Sequence, residues 1–269
     1  MHVFDQDTRS APLDAGRLAL DISGRYDIGT VPNGGYVLAA AARALCAATQ
    51  RPDVLTITAH YLNPVRAGSA TLGVDVTPGG RRTACAGAVL EQNGAVCTRF
   101  LATCTDLSRH AGVSWTDAAP PSLPPFAQCP SAPHDAVARE PFHEAVDVRL
   151  DPALAGWRAG GAERAEMRGW FAFPDGRAPD VFALLLFADS MPPPVFRVLG
   201  PVGWVPTLEL TVHIRARPAP GPIAGVFRTH HLTGGLLEED GTLWDSTGTL
   251  VAVSRQLALV RNPAPGPKS

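Results

Sequence analysis

Two runs along the chain are apolar on every face. Residues 34–48 read GGYVLAAAARALCAA and residues 181–188 read VFALLLFA. Neither has a broad polar face, so each predicts a helix buried on all sides, not a surface helix with one wet stripe. Asn33, after Pro32, and Asp180, after Pro179, stand where N-cap oxygens are wanted. Downstream the period changes to two. Residues 208–215, LELTVHIR, are apolar at 208, 210, 212 and 214, and Leu55, Ile57, Ala59 and Tyr61 alternate in the same way, which predicts strands with one buried face. Further strands are predicted over 70–76, 83–90 and 95–104, and again over 165–173, 223–232 and 249–260. Turns are predicted at Gly79-Gly80, Asn93-Gly94, Asp240-Gly241 and Thr247-Gly248.

The order of helix followed by strands therefore occurs twice. Between the two sets, residues 116–141 (TDAAPPSLPPFAQCPSAPHDAVAREP) have the composition of an extended connection without a core of its own. The expected division is residues 1–106, a linker over 107–141, a second unit over 142–262 and a tail over 263–269. The halves also match residue by residue. ITAHYLNPVRAG (57–68) lies against LTVHIRARPAPG (210–221) without a gap, bringing Thr58 to Thr211, His60 to His213 and Gly68 to Gly221. NGAVCTRFLA (93–102) falls against TGTLVAVSRQ (247–256), Gly94 meeting Gly248. Duplication explains both matches. The class is α+β, a buried helix against antiparallel sheet in each half. Wrapping each sheet around its helix gives two tandem hotdog domains.

Bulk properties exclude several functions. The 269 residues are 45% hydrophobic, ample for two cores, yet no charge-free apolar run is long enough to span a bilayer. The N-terminus, MHVFDQDTRS, lacks the basic start and apolar stretch of a secretory signal, so a cytoplasmic location is expected. A net charge of −2 and the lack of a basic face or motif argue against nucleic acid as a partner. The five cysteines include no CxxC pair, which favours reduced thiols over a disulfide framework or zinc site.

A few residues stand out chemically. Asp189 is the first charge after eight apolar residues, close to the negative end of its predicted helix. Burial there opposes its ionisation, which makes it a candidate site residue; an exposed, turn-capping Asp is the alternative. Gln256 lies in the apolar run LVAVSRQLALV, where a buried amide wants partners. Thr207 opens a strand, but parity groups it with Glu209, Thr211 and His213 on the polar side. A bend at Pro206 would return it to the core face; otherwise Thr211 is the reserve candidate. Asn33, Gly34 and Gly35 open the first helix and offer backbone N–H groups at its positive end, either as an oxyanion site or as a plain cap. His60, His213, His230 and His231 show no ligand spacing, and no metal is expected. Neither a GxSxG elbow nor a phosphate-binding glycine loop is present. Arg66, Arg81 and Arg82 fall near predicted turns, where solvated arginines are the default and contact with substrate phosphates the alternative.

The segments PNGGYVLAAAARAL (32–45), AHYLNPVRAG (59–68), GRRTACAGAVLEQNG (80–94), FADSMPPP (187–194), WVPTLELTVHIR (204–215) and DSTGTLVAVSRQLALV (245–260) together resemble the double-hotdog acyl-CoA thioesterases of the type II class. The resemblance implies hydrolysis of an acyl-CoA, or another acyl thioester, without a metal or organic cofactor. It implies a water held by Asp189, Thr207 and Gln256, all from the second half, and a dimer or higher oligomer. The repeat sets Gln256 opposite Ala102, Thr207 opposite Val54 and Asp189 near Arg43, so the first half lacks the trio and one site per chain is expected. Two alternatives stay open: a hotdog hydratase or dehydratase, which wants a His with a carboxylate, and a non-catalytic acyl-CoA or acyl-carrier binding module.

Overall fold

The computed structural model describes residues 1–77, 79–132, 140–154 and 156–260. The expected tail, 263–269, and part of the Pro-rich segment lie outside them. Both all-apolar runs are helices, Gly34–Thr49 and Val181–Phe187, and both predicted caps act as caps. Asn33 Oδ1 accepts the Tyr36 N–H at 3.0 Å, and Asp180 Oδ1 accepts the Ala183 N–H at 2.8 Å. Leu38, Leu45, Leu184, Leu185 and Leu186 are fully buried, each worth about 2 kcal/mol in apolar burial.

One antiparallel sheet wraps both helices. Its strands run in the order Ser10–Asp14, Arg17–Ile22, Gly68–Thr77, Thr83–Gln92, Ala95–Thr105, Asp53–Tyr61, Thr207–Ile214, Leu250–Leu259, Leu236–Trp244, Ile223–Thr229, Ala165–Ala172, Asp147–Leu150. Read outward from the middle, the two halves repeat the same sequence of strands. They join where Asp53–Tyr61 pairs with Thr207–Ile214, and there Thr58 faces Thr211 with their hydroxyls 2.7 Å apart. These are the residues that the sequence repeat superimposes. A repeat that maps a residue onto its own cross-strand partner defines a local twofold axis through that pair. The glycines it matches share a backbone conformation that favours glycine: φ is +120° and +122° at Gly68 and Gly221, and +78° and +80° at Gly94 and Gly248. Even the irregularities repeat, with a bulge between Val54 and Thr56 in one half and between Thr207 and Glu209 in the other.

Several strands and one turn depart from expectation. Asp240-Gly241 does not turn; it lies inside Leu236–Trp244, a strand the pattern did not predict. The turn falls earlier, at Gly234-Gly235, where φ is +60° and +83°. Gly241 is small for packing, because a Cβ there would strike the Phe227 ring and the Ser254 hydroxyl. The short edge strands Ser10–Asp14 and Asp147–Leu150, with little alternation to read, also escaped, as did Arg17–Ile22 beside the first of them. The described part of the Pro-rich segment, with one 3-10 turn over Phe126–Gln128, docks on the second half: the Trp170 indole donates to the Pro124 carbonyl at 3.0 Å, and the Ala132 N–H to that of Val148 at 2.7 Å.

The helices pack antiparallel in one shared hydrophobic core. The first turn of Gly34–Thr49 meets the last turn of Val181–Phe187, and the Arg43 guanidinium lies 4.4 Å from the Phe182 ring centroid near the other end. A Cβ on Gly35 would come within 2.6 Å of the Leu185 carbonyl oxygen and 2.9 Å of that of Leu186. Both are backbone atoms with little room to yield. Gly35→Ala is therefore expected to destabilise the protein by about 1–3 kcal/mol, as overpacking does. Thermal melts check this; an unchanged melting temperature would mean the crossing is loose.

Candidate active site

The helix crossing brings together what the sequence separates. Asp189 follows the end of the second helix. Its Oδ2 accepts the Gly35 N–H at 2.9 Å and an Asn33 Nδ2–H at 3.1 Å, and Asn33 Nδ2 also donates to the Asp189 carbonyl at 2.6 Å. Asn33 thus caps its own helix through Oδ1 and holds Asp189 through Nδ2. The expectation set Asp189 against the negative end of its own helix. Its closer partner is the positive N-terminus of the other half's helix, which favours a carboxylate. Burial is nevertheless the larger effect. It raises the Asp189 carboxyl from the ordinary value of 3.8 to about 6, with the Gly35 and Gly34 N–H groups pulling the other way. A carboxylate of this strength suits a base near neutral pH. The Gly35 N–H, an expected oxyanion donor, is engaged by this carboxylate.

Tyr61 completes this side and was not singled out in the sequence. Its hydroxyl donates to the Gly34 carbonyl at 2.8 Å, and a Cβ on Gly34 would lie 3.0 Å from both the Tyr61 hydroxyl and Asp189 Oδ2. Burial, then the charges of Asp189 and Glu209, push its phenol well up, so it stays neutral.

Facing outward from the sheet rather than toward the helices, Thr211 bonds Glu209 and Thr58 at the twofold axis. Thr207 faces inward. The bulge inserts one residue between Thr207 and Glu209 and reverses parity, so Thr207 opposes the buried Ala258 instead of joining the outer row. Its hydroxyl donates to Gln256 Oε1 at 3.0 Å. Gln256 pairs across the sheet with Glu239, which is only 4% exposed. Burial, reinforced by the charge of Asp189, pushes the Glu239 carboxyl well above its ordinary range. Sequence reading missed Glu239 because it missed the strand that carries it; the burying alternation of Leu237, Glu239, Gly241 and Leu243 was the available signal. No direct hydrogen bond joins Asp189 to Thr207 or Gln256. His60, His213, His230 and His231 are all exposed. Among the described residues no cluster of His, Cys, Asp and Glu is arranged to hold a metal.

The twofold supplies an internal comparison. Strand registers align the row Leu210, Gln256, Glu239 with the row Ile57, Ala102, Ala86. The repeated bulge aligns Thr207 with Val54. Where the second half presents Thr207, Gln256 and Glu239, the first presents Val54, Ala102 and Ala86. Counted from the two N-caps, Asp189 corresponds to Ala42, next to Arg43, and Gly35 to Phe182. The sheet row of the first-half equivalent is apolar, whereas its helix crossing holds Arg43, paired with Asp5 at 3.1 Å and 3.9 Å from Asp180.

The architecture is that of double-hotdog proteins. A protein of Thermobifida fusca with a provisional assignment as a thioesterase II superimposes with a TM-score of 0.88 and 30% identity, covering 97% of this chain and 98% of its own. A hotdog protein of unknown function from Alicyclobacillus acidocaldarius gives 0.85 at 24% identity, covering 98% and 100%. An acyl-CoA thioesterase II of Mycobacterium marinum gives 0.76 at 19%, covering 97% and 99%. An uncharacterized protein of Mycobacterium tuberculosis is 28% identical over 263 residues, 89% of each chain. Residues 22–105 match the acyl-CoA thioesterase N-terminal domain and residues 120–260 the C-terminal domain. The chain belongs to this thioesterase family.

The Asp189 shift has a consequence for stability. With a folded value of about 6 against 3.8 unfolded, the native state binds more protons than the unfolded chain across that window, and stability falls as pH rises through it. Asp189→Asn cannot ionise. Its melting temperature relative to wild type is expected to climb between about pH 4 and pH 7. A difference that stays flat with pH would show that burial does not strain this carboxylate.

Proposed function

We propose that this protein hydrolyses acyl-CoA to the free acid and CoA, at one site per chain located in the second half, and that the chain divides into hotdog units over 1–106 and 142–262. The observation that carries the reading is Asp189, a buried carboxylate of near-neutral strength at the tip of a helix N-terminus, beside an inward-facing polar row that the duplicated half replaces with apolar residues. Asp189 takes a proton from a water. Thr207, whose own proton is committed to Gln256, accepts the other water proton through a lone pair. The water oxygen is then directed at the thioester carbon. The substrate carbonyl sits toward the positive end of the Gly34–Thr49 helix, with Asn33, Gly34 and Gly35 as the substrate-binding end of the site. As the tetrahedral intermediate collapses, the carbon–sulfur bond breaks and the proton held by Asp189 passes to the departing thiolate. No covalent enzyme intermediate forms, and positioning with electrostatics supplies the rate.

The test is thiol release from a panel of acyl-CoAs. Wild type is expected to turn over, and Asp189→Asn to lose about 100-fold or more in kcat, the scale of a general base. No release from any acyl-CoA overturns the substrate reading, and equal release by both proteins overturns Asp189 as base. The working form is the carboxylate, so kcat is expected to fall as pH drops below about 6. A profile flat down to pH 4 would contradict this.

A further inference from the structure

Glu239 is an expensive residue to keep. It is 4% exposed, its Oε2 has no hydrogen-bond partner, and the negative charge of Asp189 opposes its ionisation. A buried carboxyl with an unmet oxygen destabilises a fold, and an apolar residue of similar size is generally better tolerated. The protein itself shows the apolar solution: the same sheet position in the first half is Ala86, fully buried, beside Ala102. The carboxyl occurs only in the half that carries the polar row.

We propose that Glu239 is a positioning residue that fixes the hydrogen-bond direction of Gln256 and, through it, of Thr207. A glutamine amide presents oxygen at one corner and nitrogen at the other, and the two exchange by a half-turn. Gln256 Oε1 receives the Thr207 proton, so its NH₂ is directed elsewhere. Glu239, directly across the strand pair, is its hydrogen-bonding neighbour. As an acceptor it holds the NH₂ in place and keeps the oxygen toward Thr207. Thr207 must then donate to Gln256, which leaves its lone pairs for a water proton. With an apolar residue at 239 the amide is free to turn, and Thr207 is free to donate to the water, opposing the orientation that attack requires. Glu239 also stays a neutral acid. The titratable groups that act on it are Asp189 and, on its own strand, Asp240, and both oppose its ionisation. The base Asp189 is thereby spared a second negative charge beside it.

The catalytic part of this inference rests on the hydrolase reading; the hydrogen-bond direction does not. Glu239→Leu and Glu239→Gln are compared with wild type by kcat, KM and pH profile, by thermal melts, and by NMR of the Gln256 side-chain NH₂, assigned with Gln256→Leu. Glu239→Leu is expected to lower kcat about tenfold or more with little change in KM, as misplacement of a reacting group does. Glu239→Gln, which keeps an acceptor, is expected to retain a larger share of kcat. Its melting temperature is expected to gain on wild type as pH rises above about 5, since a raised folded pKa removes stability from the ordinary glutamate value upward. The Gln256 NH₂ signals are expected to be held in wild type and Glu239→Gln and to shift in Glu239→Leu. A folded Glu239→Leu with wild-type kcat overturns the proposal. So do equal losses in both variants, which would mark a packing role. If wild type releases no thiol, the hydrolase reading fails alone, and unchanged Gln256 signals in Glu239→Leu would still overturn the positioning.

Discussion

The structure turns on the contact between Asp189 and the first turn of the helix Gly34–Thr49. There the end of one half's helix meets the start of the other's, and Gly35 lets them approach until backbone and carboxylate touch. A side chain at 35 would part the helices. Without the Gly35 and Gly34 N–H groups, burial would act on Asp189 unopposed and push its carboxyl higher still. The same glycine therefore sets the packing of the two halves and the strength of the Asp189 carboxyl. This ties a functional property to the shared core.

Duplication provides the frame in which that contact becomes a site. The twofold through Thr58 and Thr211 generates two equivalent crossings, with equivalent bulges beside them. In one, the sheet positions are Val54, Ala102 and Ala86, all buried and apolar, and Phe182 stands under the Arg43 guanidinium. In the other, Gly35, Thr207, Gln256 and Glu239 leave polar groups that are costly to bury. The asymmetry separates two demands that conflict in a single domain: one half keeps an apolar sheet row, and the other buries polar groups there at a cost in stability.

Two carboxyls sit in the same low-dielectric region with different strengths. Asp189 has helix N–H donors and titrates near neutrality, while Glu239 has an amide neighbour and an unmet oxygen and remains protonated. Each charge raises the cost of the other, so one ionised group is the stable arrangement. The split arises from which backbone and side-chain donors reach each carboxyl, a matter of placement rather than of residue type.

Much of this was written in the chain. All-apolar runs flanked by Asn33 and Asp180 specified buried, capped helices because no solvent face was available to them. Alternation specified the inner strands, and the ungapped match of 57–68 with 210–221 implied the twofold that the strand pairing realises. Asp189 stood out as a charge closing an apolar run. Tertiary structure decided the rest, because the deciding contacts are non-local. The strand Leu236–Trp244 was hidden by an Asp-Gly pair whose glycine answers to the Phe227 ring across the sheet. With it went Glu239, whose meaning depends on Gln256 in the neighbouring strand. Thr207 faced the wrong way until a bulge, set by pairing, reversed its parity. Sequence fixes which groups resist burial and which local periods they follow, whereas the partner that Asp189 finds, 154 residues away at Gly35, exists only once both helices share a core.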